Sequence, residues 1–167
     1  VEGEQGSGKS TACRILRALV DPNASPLRRP LRDERDLFIA AHNGWVVGFD
    51  NLSGLPNWLS DALCVLATGG GYTTRELYTD TEEVLFDVQR PVIVNGIDQI
   101  GQRGDFRDRC LRVVLPRLDE TEALDEATLW AEFEAVRPKL LGALLDVVST
   151  ALRNWPSVRV VRTARLA

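Results

Sequence analysis

The sequence predicts an α/β domain built on a mostly parallel sheet with helices on both faces. Two observations carry this expectation. A glycine-rich turn, Gly3-Glu4-Gln5-Gly6-Ser7-Gly8-Lys9-Ser10, runs from a strand end directly into an amphipathic stretch. Beyond it, short apolar runs ending in polar residues alternate with segments of helical spacing. That alternation is what parallel strands with crossover helices require.

The elements follow in chain order. Between Ser10 and Val20, Ile15, Leu16, Leu19 and Val20 recur at helical spacing, and Asp21-Pro22-Asn23 ends the helix. Residues 23–32 are rich in proline and arginine and read as a loop holding at most one short strand. Asp33 to Ala41 reads as a helix opening with acidic residues, which the helix dipole favours. Trp45 to Asp50 is an apolar strand ending in a carboxylate. Pro56 to Ala67 is a helix with proline near its start, broken by Gly69-Gly70-Gly71. Tyr72 to Tyr78 and Val84 to Val88 are two strands joined by the acidic turn Asp80-Thr81-Glu82-Glu83.

Pro91 to Asn95 is a second buried strand with a polar end. Asp105 to Cys110 is expected to be helical and Leu111 to Leu115 to be a third strand. Glu122 to Val136 and Pro138 to Leu152 read as two helices forming a small C-terminal lid, with Val158 to Val161 as a strand in the tail. The expected division is a core over 1–117 and a helical lid and tail over 118–167.

Composition narrows the class. A chain of 167 residues suits one domain with a sizeable core, and 44% hydrophobic with 26% charged residues is a soluble globular profile. The net charge of -4 excludes a surface coated in nucleic-acid-binding charge, though not a local basic strip. No apolar run approaches the roughly 20 residues needed to span a bilayer, so the expectation is a cytoplasmic chain with no membrane partner. Cys13, Cys64 and Cys110 form no C-x-x-C pair and read as small core residues in a reducing compartment. Val1 and Glu2 are all that stands before the glycine-rich turn, which reads as the remnant of a longer strand in a longer chain.

The chemistry-bearing residues begin with that turn. Its glycines let backbone N–H groups curl around phosphate, Lys9 supplies a point charge to the outer phosphates, and the Ser10 hydroxyl suits magnesium. Gly3 to Thr11 is therefore the expected ATP-binding segment. Asp50, at the end of VVGFDNL, is the natural second partner for magnesium beside Ser10. Asn51 follows it and cannot accept a proton as a base. The water must then be polarised by Asp50 itself, by Glu34 or another nearby carboxylate, or hydrolysis is slow.

Asn95, ending PVIVNG, is placed to orient the attacking water. In RGDFRDRCLRVVL the arginines 103, 107, 109 and 112 crowd before a strand, and Arg109 is the candidate to reach a neighbouring subunit's phosphate. In the hairpin, Arg75 and Tyr78 are candidates for touching a nucleic-acid backbone and stacking on bases. His42, the only histidine, reads as a capping or solvated residue.

The order of GEQGSGKS, a strand ending FDN, TGGGYTTRELY leading into PVIVNG, and DRCLRVVLP resembles the ATPase domain of superfamily 3 and of phage or poxvirus-type primase-helicases, a branch of the AAA+ ATPases. It is also similar to ATPases of phages and integrated elements of high-GC bacteria. The resemblance covers about residues 3–116. It implies a P-loop NTPase fold of AAA+ type, a three-layer αβα sandwich with a C-terminal helical lid. It further implies ATP and Mg2+ on Gly3–Ser10 and Asp50, a water sensor at Asn95, and an inter-subunit finger at Arg109. DNA, as a single strand, falls to the hairpin around Arg75, a homo-oligomeric ring, a hexamer, is the assembly, and Arg137 is a candidate lid arginine. Asn51 and the lack of a lysine at the hairpin tip depart from the family pattern. Two functions remain open: a helicase motor, and a non-motor regulatory ATPase that binds ATP to assemble with a partner.

Overall fold

The computed structural model describes residues 1–75, 83–97, 100–119, 121 and 124–159. Its elements run β1 (Glu2–Gly3), α1 (Lys9–Val20), α2 (Glu34–His42), β2 (Val47–Phe49), α3 (Asn57–Thr68), β3 (Gly71–Arg75), β4 (Glu83–Asp87), β5 (Val92–Val94), α4 (Gly104–Arg107), β6 (Val114–Leu115) and α5 (Glu126–Asn154). A single 3-10 turn, Trp155–Ser157, closes α5.

The strands form three two-stranded sheets. β1 pairs with β6 and β2 with β5, both parallel, while β3 and β4 are an antiparallel hairpin. Single parallel bridges join Glu2 to Gly96 and Arg28 to Phe49. The parallel segments thus lie side by side in the order β6, β1, β5, β2, then the chain at Arg28. The three residues of β2 are buried throughout, between β5 and the chain at Arg28.

α2 and α3 cover one face. Leu37, Phe38 and Ala41 of α2 and Leu59, Ala62, Leu63 and Leu66 of α3 pack with Val47, Phe49 and Leu52 in the main core. The hairpin is tied to this core by Tyr72, whose ring stacks on Phe38 at 4.6 Å and 8°. α2 starts where the sequence places it, with the Asp33 side chain accepting from the Asp36 amide. α3 ends at Gly69, in a left-handed conformation that glycine adopts without a side-chain clash.

Three expectations are corrected. The apolar face expected on α1 is not its buried face: Leu16 and Val20 are exposed, whereas Cys13 and Arg17 are buried. Arg17 can be buried because its guanidinium donates to the Pro26 carbonyl at 2.8 Å and to Asp21 Oδ2 at 3.2 Å. The cysteines are not all core residues, since Cys64 is half-buried and Cys110 exposed. The two expected C-terminal helices are one, α5, which runs through Pro138. Its start is capped by Asp125, whose side chain accepts from the Thr128 amide. The first turns of α5 rest on α1 through Arg14 and Glu126, paired at 2.9 Å. The turn 80–82, Glu122 and the tail residues Val160 and Val161 lie outside the described residues.

Pro138 removes one backbone hydrogen bond from the middle of a continuous helix, a defect worth up to about 3 kcal/mol. Pro138→Ala is therefore expected to raise both the melting temperature and the far-ultraviolet helical signal. An unchanged melt and spectrum would mean that the chain really breaks at 138.

Candidate functional site

Parallel pairing brings three chain segments to one edge. The glycine-rich loop follows β1, Asp50 follows β2 and Asn95 follows β5, so all three stand at the carboxyl ends of neighbouring strands. In open α/β sheets this is the edge at which ligands bind.

The loop is shaped by its glycines. A side chain at Gly3 would bring a Cβ to 2.6 Å from the Leu115 carbonyl oxygen and 2.7 Å from Ser7 Oγ, so only glycine lets the loop leave β1 against β6. Gly8 has φ 73° and launches α1 without any side-chain cap. No acidic residue occupies the first turn of that helix. Its first amides and the positive end of its dipole are therefore available to an anion. Ser7 is buried and donates its hydroxyl to the Glu4 carbonyl at 2.9 Å. Lys9 folds back over the loop, donating to the same carbonyl at 2.6 Å and to Ser7 Oγ at 3.3 Å. Glu4, Gln5 and Gly6 are exposed and Thr11 is half-buried on the first turn.

Ser10 and Asp50 meet directly: the hydroxyl donates to Asp50 Oδ1 at 2.7 Å across 40 residues of chain. A hydroxyl and a carboxylate this close offer two hard oxygen donors, the ligand chemistry of magnesium. Asn95 is buried behind them. Its Oδ1 accepts from the Asn51 amide at 2.8 Å, its carbonyl from the Leu52 amide at 2.9 Å, and its own amide donates to the Phe49 carbonyl at 3.2 Å. Asn95 thus grips the turn that carries Asp50. Asn51 sits in that turn at φ 54°, a left-handed conformation that asparagine tolerates better than most residues. Among the described residues the Asn95 Nδ2 is buried with no partner in full hydrogen-bond geometry. Cys13 lies below, its thiol pKa pushed up by burial while the nearby Asn95 side chain acts the other way.

The other candidates stand apart from this cluster. Arg109 follows α4, donates from Nη1 to the Asp105 carbonyl at 2.7 Å, and keeps a buried Nε without a partner among the described residues. It lines an open groove of about 820 Å³ with Cys64, Val92 and Leu111, a groove to which neither the glycine-rich loop nor Asp50 contributes. Arg103 is engaged by Asp61 and Asp105 at 2.8 and 2.9 Å, and Arg112 by Glu2 at 2.7 Å. Arg75 ends β3 opposite Glu83 in the hairpin register, and Tyr78 lies outside the described residues. Arg137 pairs with Glu134 on its own helix at 3.0 Å. Glu34 is in the first turn of α2, and His42 ends that helix with its ring edge-on to Phe86 at 6.0 Å.

Sequence reasoning missed two supports. Arg17 and Asp21 brace the far end of α1, and Asp21 Oδ2 also accepts from the Val46 amide at 2.9 Å, holding the entry to β2. Their i,i+4 spacing was the available signal. Glu2 clips two segments, accepting from the Ile100 amide at 3.1 Å through one oxygen and from Arg112 through the other; nothing in the local sequence announces that long-range role.

The fold and the edge cluster define an α/β protein whose parallel strands deliver a glycine-rich loop, a lysine, a hydroxyl and a carboxylate to one place. A family model for the actinomycete integrative conjugative element replication protein matches residues 1–162, and the chain belongs to that family. This makes it a replication protein of a mobile element. No curated protein sequence gives a significant match. Among the described residues no helix is long and apolar enough to cross a membrane.

Replacing Asn95 with leucine keeps its bulk but removes the acceptor that holds the Asn51 amide. Leaving that amide unmet costs about 1–3 kcal/mol. Asn95→Leu is expected to lower the midpoint of urea unfolding by a corresponding amount at an unchanged slope. A parent-like midpoint would show that this bond does not hold the turn.

Proposed function

We propose that this chain binds ATP with magnesium on Gly3–Thr11 and hydrolyses it, serving mobile-element replication as the motor of a DNA helicase. The observation that carries the reading is the meeting of Ser10 and Asp50 at 2.7 Å beside an uncapped helix start and the Lys9 ammonium. In this reading the domain is a P-loop NTPase of AAA+ type, an αβα sandwich with α5 as its lid. The place of β1 between β6 and β5 supports it, because the loop then leaves from inside the row of strands rather than from its edge.

The residues divide the work. The loop amides from Gly6 to Ser10 take up phosphate oxygens, and Lys9 exchanges its hold on the Glu4 carbonyl for the outer phosphates. Ser10 and Asp50 would hold magnesium, which when bound neutralises charge on the transferring phosphoryl group. Asn95 keeps the Asp50 turn in register, and its Nδ2 is the atom left to orient water. Asp50 or Glu34 polarises that water, since Asn51 cannot. Arg109, remote from its own chain's loop, serves a neighbour's ATP in a homo-oligomeric ring, a hexamer, and the hairpin bearing Arg75 and Tyr78 touches single-stranded DNA.

A second reading, a regulatory ATPase that assembles with a partner when ATP is bound, draws on Asn51. An exposed asparagine where a base would act favours slow turnover.

Lys9→Ala is expected to abolish or severely weaken ATP binding in calorimetry with magnesium, since the loop loses its fixed cation. Asp50→Asn should cost much more turnover than binding. Arg109→Ala should bind ATP normally yet hydrolyse it about a thousandfold more slowly in the assembled protein, the scale of arginine fingers elsewhere. Unchanged affinity in Lys9→Ala would remove the phosphate-loop reading. Binding without turnover in the parent, DNA present, would favour the regulatory one.

A further inference from the structure

The last four turns of α5 are amphipathic, and among the described residues nothing covers their apolar face. Leu144, Val147, Val148, Leu152 and Trp155 are all at least 41% exposed, and Trp155 reaches 76%. On a helical projection these side chains share one face with Ala151, while Lys139, Asp146, Ser149, Thr150 and Arg153 occupy the opposite one. A contiguous exposed apolar face of this kind marks an interaction surface. The earlier turns behave differently: Phe133 is buried, with Trp130 edge-on to it at 5.6 Å. The helix therefore has one half committed to its own chain and one half presented outward.

We propose that this outward half is a dimer interface, and that its occupant is the same half of α5 from a second copy of this chain, running antiparallel. The sequence of the face is self-complementary about a point between Ser149 and Thr150. An antiparallel pair centred there sets Leu144 against Trp155, Val147 against Leu152, and Val148 against Ala151, and each pairing recurs by symmetry on the other side of the axis. That is the condition for a closed, isologous two-fold contact. Large residues meet smaller ones in these pairs, so the two faces interdigitate.

Size agrees as well. Covering the apolar side chains of both copies removes on the order of 1,000 Å² from water, the size at which a specific protein interface begins. Orientation follows from where the bodies attach. α5 spans roughly 43 Å at 1.5 Å per residue, and its N-terminal end rests on α1. A parallel pair, with axes only about 8–10 Å apart, would force both α/β bodies to the same end. An antiparallel pair puts them at opposite ends. The interface leaves the phosphate loop, Asp50 and Arg109 uncovered, so it stands independently of the proposed ATPase activity.

Sedimentation equilibrium of the 167-residue chain at tens of micromolar tests this. Without nucleotide or DNA, the conditions under which the proposed ring is not assembled, the expected mass is twice the 18.5 kDa of one chain, falling twofold to the single-chain mass in Val148→Asp, with far-ultraviolet helicity retained. A second measurement does not depend on that variant folding: a Val148→Cys chain is mixed with an Ala151→Cys chain under oxidised glutathione. The antiparallel pair predicts a disulfide between the two different chains. A single-chain mass for the parent at these concentrations would overturn the proposal. So would a dimer unaffected by Val148→Asp, or cross-linking of Val148→Cys chains only to each other.

Discussion

The start of α1 is the constraint around which the structure is arranged. A helix that begins at a left-handed glycine, with no capping side chain and no acid in its first turn, leaves its leading amides to something outside the helix. Holding that helix start at the end of β1 requires β1 to be pinned, although it is only two residues long. β6 pairs along one side of it and Gly96 bridges the other, while the Val1 backbone nitrogen donates to the Val94 carbonyl at 2.6 Å and Glu2 clips Ile100 and Arg112. The close approach of the Leu115 carbonyl to Gly3 is the cost of that tight seating, and it is why no other residue fits there.

The same economy of short elements appears at β2. Three residues of strand are held in register by polar side chains that reach in from elsewhere. Asn95 locks the exit turn with Asn51, and the Arg17–Asp21 pair fixes the entry through Pro26 and Val46. A buried guanidinium is expensive unless every donor finds an acceptor, and here carbonyls supply most of them. Such pairs add less to stability than apolar packing of equal volume would. What they supply is position: Asp50 cannot drift from Ser10 while both ends of β2 are tied. The family to which the chain belongs replicates mobile elements, and in the function proposed above this edge is where a nucleotide would sit.

Much was legible in the residues alone. The spacing of apolar residues around Trp45–Asp50 and Pro91–Asn95, the acidic opening at Asp33 and the triple glycine at 69–71 marked strands, a helix start and a helix stop, because these signals act over a few neighbouring residues. GEQGSGKS marked the loop for the same reason. Which α1 residues are buried was not legible. Periodicity ranks Leu16 and Val20 above Arg17, and only the arrival of Pro26 and Asp21 around the guanidinium reverses that order. Pro138 misled in the same way: locally it reads as a break, but α5 continues through it.

By itself, then, the sequence determined the loop and the alternation of elements, and it marked Lys9, Ser10, Asp50 and Asn95 as candidates for chemistry. The tertiary structure decided which of them meet. Ser10 and Asp50 are 40 residues apart, and Asn51 and Asn95 are 44 apart; no local pattern encodes their distances. Those distances arise because parallel strands must enter the sheet from the same side, which gathers their carboxyl ends at one edge and leaves Arg109 in a separate groove.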